Sequence, residues 1–345
     1  MNNLDKQYFE LINHILDNGK IKGDRTGTGT KSVFDYTIRH KMSDGAAVLT
    51  SKKVYFKGVK HELLWFLRGE TNIKYLVDNG VNIWNGDAYK HYAINQITDQ
   101  TLTHGEFIAQ ILKNNEDIMD WAELGPVYGA QWRNWNSYSH TKVFGSSDYE
   151  VKSRPVDQIT NLLNDLRTNP DSRRLMVSAW NVGDINKMVL PPCHYVFQCY
   201  TTEMELEERI EYWCKLHSRD ISFGRELTHD KMDALGAPKR TISLKFTMRS
   251  VDVPLGLPFN LASYGLLLQM LANEVNMAAD ELIFSGGDCH IYLNQIDGVK
   301  QQLKQETFDL PTIEISKKPF FEIEHDDIKL KNYKSSESIK IPLSN

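Results

Sequence analysis

The residue with the clearest chemical potential is a cysteine in a proline-rich segment. Cys193 follows Pro191 and Pro192 and precedes His194 and Tyr195. The prolines restrict the backbone and predict a stiff loop that leads into a strand. A thiol attacks carbon as its thiolate, which nearby positive charge or a helix N-terminus stabilises. An isolated cysteine is more often a small buried apolar residue, so the chemistry depends on which cations surround it.

Four arginines stand in local contexts that suit anion binding. Arg25 lies in a Gly/Thr turn, Arg173 and Arg174 precede a predicted strand, and Arg249 is followed by Ser250 at a strand end. Guanidinium groups bind phosphate in a bidentate manner, and a hydroxyl adds another donor. Each arginine alone is typical of a solvated surface, and the turn at 27–29 has neither a P-loop lysine nor dinucleotide-binding spacing. Together with the cysteine, they predict an anion site beside a nucleophile.

Hydrophobic periodicity predicts the elements that must position these side chains. The spacing predicts helices over 4–18, 59–67, 75–79, 107–112, 156–167 and 262–275, and strands over 33–39, 175–180, 195–201 and 241–248. Residues 135–155 are rich in Ser, Tyr and Asn and predict a loop. The charged stretches 87–122 and 203–237 are interpreted as insertions on the rim of one α+β domain, because candidate chemistry lies on both sides of each.

Composition limits the functional classes. The 345 residues are 41% hydrophobic and 25% charged, which is typical of a globular protein, and the net charge of −5 offers no general basic field for nucleic acid or anionic lipid. The N-terminus does not resemble a secretory signal, and no stretch is apolar enough to cross a bilayer. The four cysteines form no Cys-x-x-Cys pair, which favours free thiols in the cytosol over disulfides or a zinc site.

Several motifs, in one order, resemble the thymidylate synthase family along nearly the whole chain. They occupy residues 24–30, 61–67, 125–129, 171–174 running on to 178–181, 191–194, 249–252, 257–264 and 286–292. The resemblance implies a single α+β domain, a mixed β-sheet covered by helices, and a sheet face that forms a homodimer interface. It also implies conversion of dUMP and 5,10-methylenetetrahydrofolate to dTMP and dihydrofolate, without a metal.

The resemblance assigns roles to the cysteine and the arginines. Cys193 would add to C6 of uracil, and Arg249 would lie beside the thiol while also binding the phosphate. The remaining phosphate ligands would be Arg25, Arg173, Arg174 and Ser250. In this family the arginine pair reaches across from the partner subunit, so Arg173 and Arg174 would complete the site of the second protomer.

Asn260 would read the base. A carboxamide offers one donor and one acceptor, which match uracil O4 and N3–H, whereas cytosine presents the opposite pattern. The wrong base would leave buried polar groups unpaired, at roughly 1–3 kcal/mol each. Outside its motif, an asparagine here would more often be a turn or helix-capping residue.

Other polar residues take roles from the family pattern. His290 and Tyr292 would bind the 3′-hydroxyl, although such a pair is also typical of a half-buried structural contact. Glu62 lies in an apolar helical stretch, where an unpaired carboxylate is costly; it would be a general acid/base acting through water, with Tyr128 and His194 in its network. A core salt bridge is the alternative for Glu62.

The folate site follows from the resemblance as well. Asp252 would contact the pterin, and Lys52, with its neighbour Lys53, would lie near the glutamate tail. The wall of the folate site would be formed by Ile83, Trp84, Leu190, Gly256 and Phe259. Trp84 and Phe259 are equally well core aromatics, and both lysines are equally well surface residues.

The sequence departs from the family pattern at four places, of which the C-terminal tail bears most directly on the product. Met248, Asp87 and Pro254 replace a usual glutamine, tryptophan and bulky residue, and the tail ends in the polar Asn345 rather than an apolar residue. A tail that shields the site poorly would admit water and favour a dUMP hydroxymethylase. The alternative of another class is a non-catalytic nucleotide- or RNA-binding relative, which the filled catalytic positions and the acidic net charge disfavour.

Overall fold

A computed structural model describes residues 1–96, 101–145, 147–217 and 227–344. The helices of these residues, in chain order, are α1 (Asn3–Asn18), α2 (Phe56–Leu67), α3 (Lys74–Asp78), α4 (Asn85–Ile94), α5 (His104–Leu112), α6 (Glu116–Met119), α7 (Tyr128–Arg133), α8 (Gln158–Thr168), α9 (Leu206–His217), α10 (His229–Ala234), α11 (Gly256–Glu274) and α12 (Ile296–Gln302). No described helix is long and apolar enough to span a membrane.

The strands form one large sheet and two small ribbons. They are β1 (Lys20–Lys22), β2 (Thr30–Lys41), β3 (Trp135–Lys142), β4 (Tyr149–Val156), β5 (Met176–Ser178), β6 (His194–Glu203), β7 (Arg240–Asp252), β8 (Ala278–Tyr292), β9 (Thr312–Ile315) and β10 (Ile328–Lys331). The large sheet has the order β1-β2-β8-β7-β6-β5, and β3–β4 and β9–β10 are separate ribbons.

The large sheet is mixed. The strands β7 and β8 pair in parallel, whereas β2 with β8 and β6 with β7 are antiparallel. The carboxyl ends of β7 and β8 therefore lie at the same sheet edge as the amino ends of β2 and β6. The candidate residues at these strand ends are Cys193 just before β6, Arg249 and Ser250 in β7, and His290 and Tyr292 in β8. They therefore lie at the same end of the sheet.

Helices cover one face of the sheet. α11 and α1 pack on it, and α2 packs against α11. Along β6, Phe197, Cys199 and Thr201 are buried, whereas Gln198 and Tyr200 on the other face are exposed. This alternation is typical of an antiparallel strand with a single covered face. The predicted α+β class, with a mixed sheet covered by helices, is confirmed.

Most predicted elements are present, with different bounds. The helix predicted from residue 262 begins at Gly256, because Pro258 falls in the first turn, where a missing N–H breaks no intrahelical bond. The loop predicted over 135–155 is wrong: β3 and β4 form an antiparallel hairpin. Its side chains are almost all exposed, so the segment has no apolar face from which a strand period could be recognised.

The two charged stretches differ in their packing. In the first, Phe107 and Ile111 of α5 join the main core, as does Tyr92 of α4. In the second, Trp213, Met232 and Ala237 form a small separate cluster. Parts of both predicted insertions, 97–100 and 218–226, lie outside the described residues.

Candidate active site

A cleft of about 710 Å³ opens at the sheet edge where these strand ends meet. Eight predicted site residues line it: Arg25, Leu190, Cys193, Arg249, Ser250, Asp252, His290 and Tyr292. Asp87, Leu343 and Ser344 are also part of its wall. The structure thus brings together a thiol, two guanidinium groups and several hydrogen-bonding side chains from distant parts of the chain.

Arg249 holds the cysteine loop through backbone carbonyls. Its Nε donates to Pro192 O at 2.9 Å and its Nη2 to Pro191 O at 3.0 Å. The same Nη2 lies 3.8 Å from Cys193 Sγ. Since β6 begins at His194 and pairs with the end of β7, the register of these strands brings the cation to the thiol. The predicted proximity of a guanidinium to Cys193 is present.

The electrostatic balance at Cys193 differs from the simple expectation of a cation-stabilised thiolate. Burial raises the pKa of the thiol, and the negative charge of Asp87 raises it as well, while Arg249 and Arg25 lower it. The net direction is upward. Within this single chain, the two arginines therefore offset the desolvation of the sulfur only in part.

Glu62 is a carboxyl group with a strongly raised pKa. Burial raises its pKa to about 7, although Trp84 Nε1 donates to Glu62 Oε1 at 2.9 Å and opposes the shift. Trp84 is itself buried. A carboxyl group that is poised near neutral pH can both give and take a proton. The alternative of a core salt bridge is wrong, since no described cation pairs with Glu62.

A stack of aromatic residues supports the cysteine loop. The hydroxyl of Tyr128 accepts a hydrogen bond from the Cys193 N–H at 2.8 Å. The ring of Tyr128 stacks on His194 with centroids 4.1 Å apart, and His194 Nδ1 lies 2.8 Å from the hydroxyl of Tyr264. Burial lowers the pKa of His194 to about 3, so its imidazole is neutral at pH 7. Tyr264 was not predicted as a site residue, although it ends one of the recognised motifs.

The turn that carries Arg25 is organised by a carboxylate. The side chain of Asp24 accepts hydrogen bonds from the backbone N–H groups of Thr26 and Gly29, both at 2.7 Å. Hydrogen bonding to Thr26 lowers the pKa of Asp24. The Arg25 side chain is exposed at the cleft, where it can meet an anion from solvent.

His290 and Tyr292 lie together at the end of β8. Their ring centroids are 5.2 Å apart. His290 Nδ1 is 3.3 Å from Asp288 Oδ1, and Lys22 also contacts this carboxylate. Hydrogen bonding to His290 lowers the pKa of Asp288 to about 2. Asp288 was not predicted as a site residue. Its spacing of two from His290 on one strand nevertheless places both side chains on the same face of the sheet.

Asp252 is a half-buried carboxylate with defined partners. Its Oδ1 accepts from the Leu255 N–H at 3.0 Å, and its Oδ2 accepts from Gln295 Nε2 at 2.9 Å. Burial raises its pKa, and the bond from Gln295 opposes this shift. Lys52 is buried, donates to Pro254 O at 2.7 Å, and has a pKa lowered by burial to about 8. The surface alternative for Lys52 is therefore wrong, whereas Lys53 is exposed.

The remaining predicted base and folate contacts do not belong to the residues that line the cleft. Asn260 and Phe259 are half-buried in the first turns of α11, where Gly256 lies beside the Asn260 carboxamide. Among the described residues, that carboxamide has no hydrogen-bond partner. Ile83 is 41% exposed. A polar group that is half-buried and unpaired in this way remains available to a ligand.

Arg173 and Arg174 are exposed and do not line the cleft of their own chain.

Three of the four departures from the family pattern lie at different places in the structure. Met248 is buried in β7, Pro254 is buried beside Lys52, and Asp87 faces the cleft from α4. Near the end of the chain, Leu343 and Ser344 border the cleft, whereas the predicted polar terminus Asn345 lies outside the described residues.

The chain is similar to known proteins along nearly its whole length. The family model described as thymidylate synthase matches residues 6–345. The thymidylate synthase of Mesoplasma florum is 38% identical over 336 residues, which cover 97% of this chain and 98% of that protein. The thymidylate synthase of Coxiella burnetii is 37% identical over 345 residues, which cover 98% and 99%, respectively.

Proposed function

Because the chain belongs to the thymidylate synthase family, we propose that it converts dUMP to dTMP with Cys193 as its nucleophile. The family match extends over residues 6–345. The observation that carries the residue assignment is the position of Cys193 Sγ, 3.8 Å from Arg249 Nη2 in the wall of a cleft with several hydrogen-bonding groups.

The cysteine and the phosphate site share one cation. Arg249 contacts both the loop of Cys193 and the cleft, so phosphate binding fixes the pyrimidine relative to the sulfur. Arg25 and Ser250 add donors from the turn and from the end of β7. The thiolate forms a bond to C6 of the uracil, and the π electrons of the C5–C6 bond move to C4–C5 while O4 takes the negative charge, which gives an enolate that is nucleophilic at C5.

The acid/base and recognition roles follow from environment. Glu62, with a pKa near neutrality, exchanges protons with O4 and C5 through water. Tyr128 holds the Cys193 backbone and stacks on a neutral His194. The unpaired carboxamide of Asn260 reads O4 and N3–H, and His290 and Tyr292 bind the 3′-hydroxyl.

The residues present suit a folate co-substrate. Asp252 offers carboxylate oxygens to the N–H donors of a pterin, and Leu190 gives the cleft an apolar wall. The other proposed folate contacts are Trp84, Ile83, Gly256 and Phe259. Lys52 donates to Pro254 O, two residues after Asp252. When bound, 5,10-methylenetetrahydrofolate supplies both the one-carbon unit and the hydride.

The active unit is proposed to be a cytosolic homodimer of one catalytic domain, with insertions at about 87–122 and 203–237. The uncovered sheet face supports the dimer: a groove of about 620 Å³ crosses it beside Phe34, which is 86% exposed. Two copies related by a twofold axis would cover this face. Arg173 and Arg174 are exposed, as the reach into a partner's cleft requires.

The decisive experiment is product analysis by mass spectrometry after incubation of the purified protein with dUMP and methylenetetrahydrofolate. We expect dTMP and an equal amount of dihydrofolate, and we expect Cys193→Ser to bind dUMP without turnover. Formation of 5-hydroxymethyl-dUMP with tetrahydrofolate would instead support the hydroxymethylase. Nucleic-acid binding by Cys193→Ala, with no nucleotide turnover by the parent, would support the non-catalytic alternative.

A second measurement tests the nucleophile directly. Incubation with 5-fluoro-dUMP and methylenetetrahydrofolate is expected to leave a covalent adduct on Cys193. Cys199 is buried, with a pKa raised to about 12 by burial, and serves as the internal control. An adduct on Cys199 or Cys289 would refute the assignment.

A further inference from the structure

We propose that Gln295 is a positioning residue that links the seating of the C-terminal tail to the orientation of Asp252. This inference rests on the proposed function, because the consequence is measured on the folate co-substrate. Gln295 is fully buried between β8 and α12. No sequence motif or catalytic step described above requires it.

Both N–H donors and the carbonyl oxygen of the Gln295 amide group have hydrogen-bond partners in the cleft wall or the tail. Its Oε1 accepts from the Tyr292 N–H at 3.1 Å. One Nε2–H donates to Asp252 Oδ2 at 2.9 Å, and the other donates to Pro342 O at 3.1 Å. A primary amide has only two N–H donors, so the carboxylate and the tail carbonyl are joined through a single nitrogen.

The tail beyond this bond reaches the cleft. Leu343 and Ser344 line it, and Leu343 is 66% exposed. A second anchor is Asn294, whose Nδ2 donates to Ser344 Oγ at 3.1 Å. The tail is therefore held at two adjacent points, of which only the Gln295 contact also touches Asp252.

The shared nitrogen gives the contact a consequence for ligand binding. The other oxygen of Asp252 is already fixed by the Leu255 N–H at the start of α11. Rotation of the Gln295 amide toward or away from Pro342 therefore changes the direction in which Asp252 Oδ2 is held. A seated tail favours one orientation of the carboxylate, and an oriented carboxylate favours a seated tail, since such coupling is reciprocal.

The test is a double-mutant cycle between Gln295→Met and a chain that ends at Ile341. Methionine keeps the approximate size of glutamine but has no donor. We expect Gln295→Met to raise the KM for methylenetetrahydrofolate by about tenfold, the effect of losing a hydrogen bond to a charged group. The truncation is also expected to raise this KM, because it removes the Pro342 carbonyl together with Leu343 and Ser344 of the cleft wall. In the double variant we expect a KM well below the product of the two single effects, because both changes break the same link. Multiplicative effects on KM would overturn the proposal.

Two controls separate coupling from loss of structure. Asn294→Ala removes the contact to Ser344 but leaves the contacts of Gln295 with Pro342 and Asp252 in place, so we expect faster release of C-terminal residues by carboxypeptidase and a smaller increase in the KM for folate than with Gln295→Met. Gln295→Glu keeps the acceptor for Tyr292 and places a second carboxylate beside Asp252, so its KM for folate is expected to rise with pH. A KM for Gln295→Glu that does not change with pH would contradict the proposal, even if Gln295→Met fails to fold.

The outcome is distinguishable from failure of the proposed function. Carboxypeptidase release is measured on the full chain without turnover, and Gln295→Met is expected to accelerate it severalfold. A parent that releases no dTMP would refute the function but not the tail contact. A parent that makes dTMP, with tail release equal in the parent and Gln295→Met, would refute the role of Gln295 alone.

Discussion

Cys193 is subject to opposing electrostatic influences from three elements. Arg249 at the end of β7 and Arg25 in the turn before β2 favour its thiolate, whereas Asp87 on α4 and burial favour the thiol. Asp87 shares the cleft with Lys90 and His91 of the same helix. Burial raises the pKa of Asp87, whereas the positive charges of Arg25 and Lys90 lower it. The reactivity of the cysteine in the free protein is therefore set partly by a carboxylate on α4.

Asp87→Asn is expected to increase the rate at which iodoacetamide alkylates Cys193. Removal of the negative charge lowers the pKa of the thiol, so more thiolate is present at neutral pH. The rate, followed by mass spectrometry between pH 6 and 9 without nucleotide, is expected to rise severalfold at pH 7. Asp326→Asn is the control, since Asp326 is fully exposed. Equal rates in the parent and Asp87→Asn would contradict this account.

Asn260→Asp is expected to shift nucleotide selectivity from dUMP toward dCMP. A protonated carboxyl group can present a donor and an acceptor in the arrangement that cytosine requires. The ratio of kcat/KM for dUMP over dCMP is expected to fall by at least about tenfold. Kinetics with both nucleotides measure this ratio, and an unchanged ratio would remove Asn260 from base recognition.

Glu62→Gln is expected to change the pH dependence of stability. The folded pKa of Glu62 is raised to about 7, whereas an unfolded glutamate has a pKa near 4.3. The folded state holds the proton over this range, so the contribution of Glu62 to stability is present below pH 4 and is lost as the pH rises to 7. The glutamine variant does not titrate and avoids this loss.

Urea unfolding at pH 5 and pH 8 measures the effect. Relative to the parent, Glu62→Gln should gain roughly 1–3 kcal/mol between the two pH values. Glu10→Gln, a change at an exposed position of α1, should show no such gain. A parallel pH dependence for the parent and Glu62→Gln would show that Glu62 is ionised throughout.

The sequence motifs predicted which residues line the cleft better than they predicted the pKa values of those residues. The positions of Cys193, Arg249 and Ser250 relative to one another follow from motifs at the ends of two neighbouring strands. The upward pKa of Cys193 depends on the burial of the sulfur and on the charge of Asp87, neither of which is encoded near residue 193. The burial of Lys52 could likewise not be predicted from sequence, because its hydrogen-bond partner Pro254 lies far along the chain.

At the scale of elements, one glycine fixes the loop behind the cysteine. Gly125 has a φ of +74°, and a Cβ there would lie 2.0 Å from Lys187 O. Leu124 O accepts from the Val189 N–H at 2.9 Å in the same contact. The approach of these two backbones therefore aligns the chain that leads from 187 to Cys193.

Gly125→Ala is expected to destabilise the fold and lower activity. The added Cβ meets backbone rather than a flexible side chain, and the left-handed φ is unfavourable for alanine, so the loss should exceed about 1 kcal/mol. Thermal and urea unfolding measure it. Gly105→Ala is the matched control, because Gly105 lies in α5 with no atom within 4 Å of its Cβ position. That change should be neutral or stabilising by up to about 1 kcal/mol.

Many elements with a buried apolar face were predicted, although most of β8 inside the large sheet was not. The exposed β3–β4 hairpin was missed. α1, α2 and α8 each bury an apolar stripe, which their sequences display. The β3–β4 hairpin buries almost nothing, so its pairing depends on backbone hydrogen bonds that composition does not reveal. The helix α4 was also missed, because its one buried stripe is short and its cleft face is polar.

At the scale of the whole molecule, the proposed exchange of Arg173 and Arg174 between protomers is open to a complementation test. We expect Cys193→Ser and Arg174→Ala each to inactivate both sites of the proposed homodimer. In a mixed dimer, one site would carry both changes and the other neither. Random mixing of equal amounts should restore about a quarter of the parental kcat.

The control is a mixture of Cys193→Ser with Arg249→Ala. Arg249 contacts the cysteine of its own chain, so a mixed dimer has no intact site and activity should not return. Recovery in both mixtures or in neither would contradict an exchange limited to the arginine pair. The assembly could be expected from the family resemblance alone, because a single chain contains only one side of an interface.

The second charged stretch has a consequence for how this protein tolerates changes in length. It leaves β6 at Glu203 and re-enters β7 at Arg240, and these two residues face each other in the strand register. An excursion that begins and ends on one rung can be lengthened, exchanged or replaced by a two-residue hairpin turn without altering the ladder. Cys193 and Arg249 lie at the opposite ends of both strands. The pair of Glu203 and Arg240 is thus the place at which the length of this excursion can change without altering the register of β6 and β7.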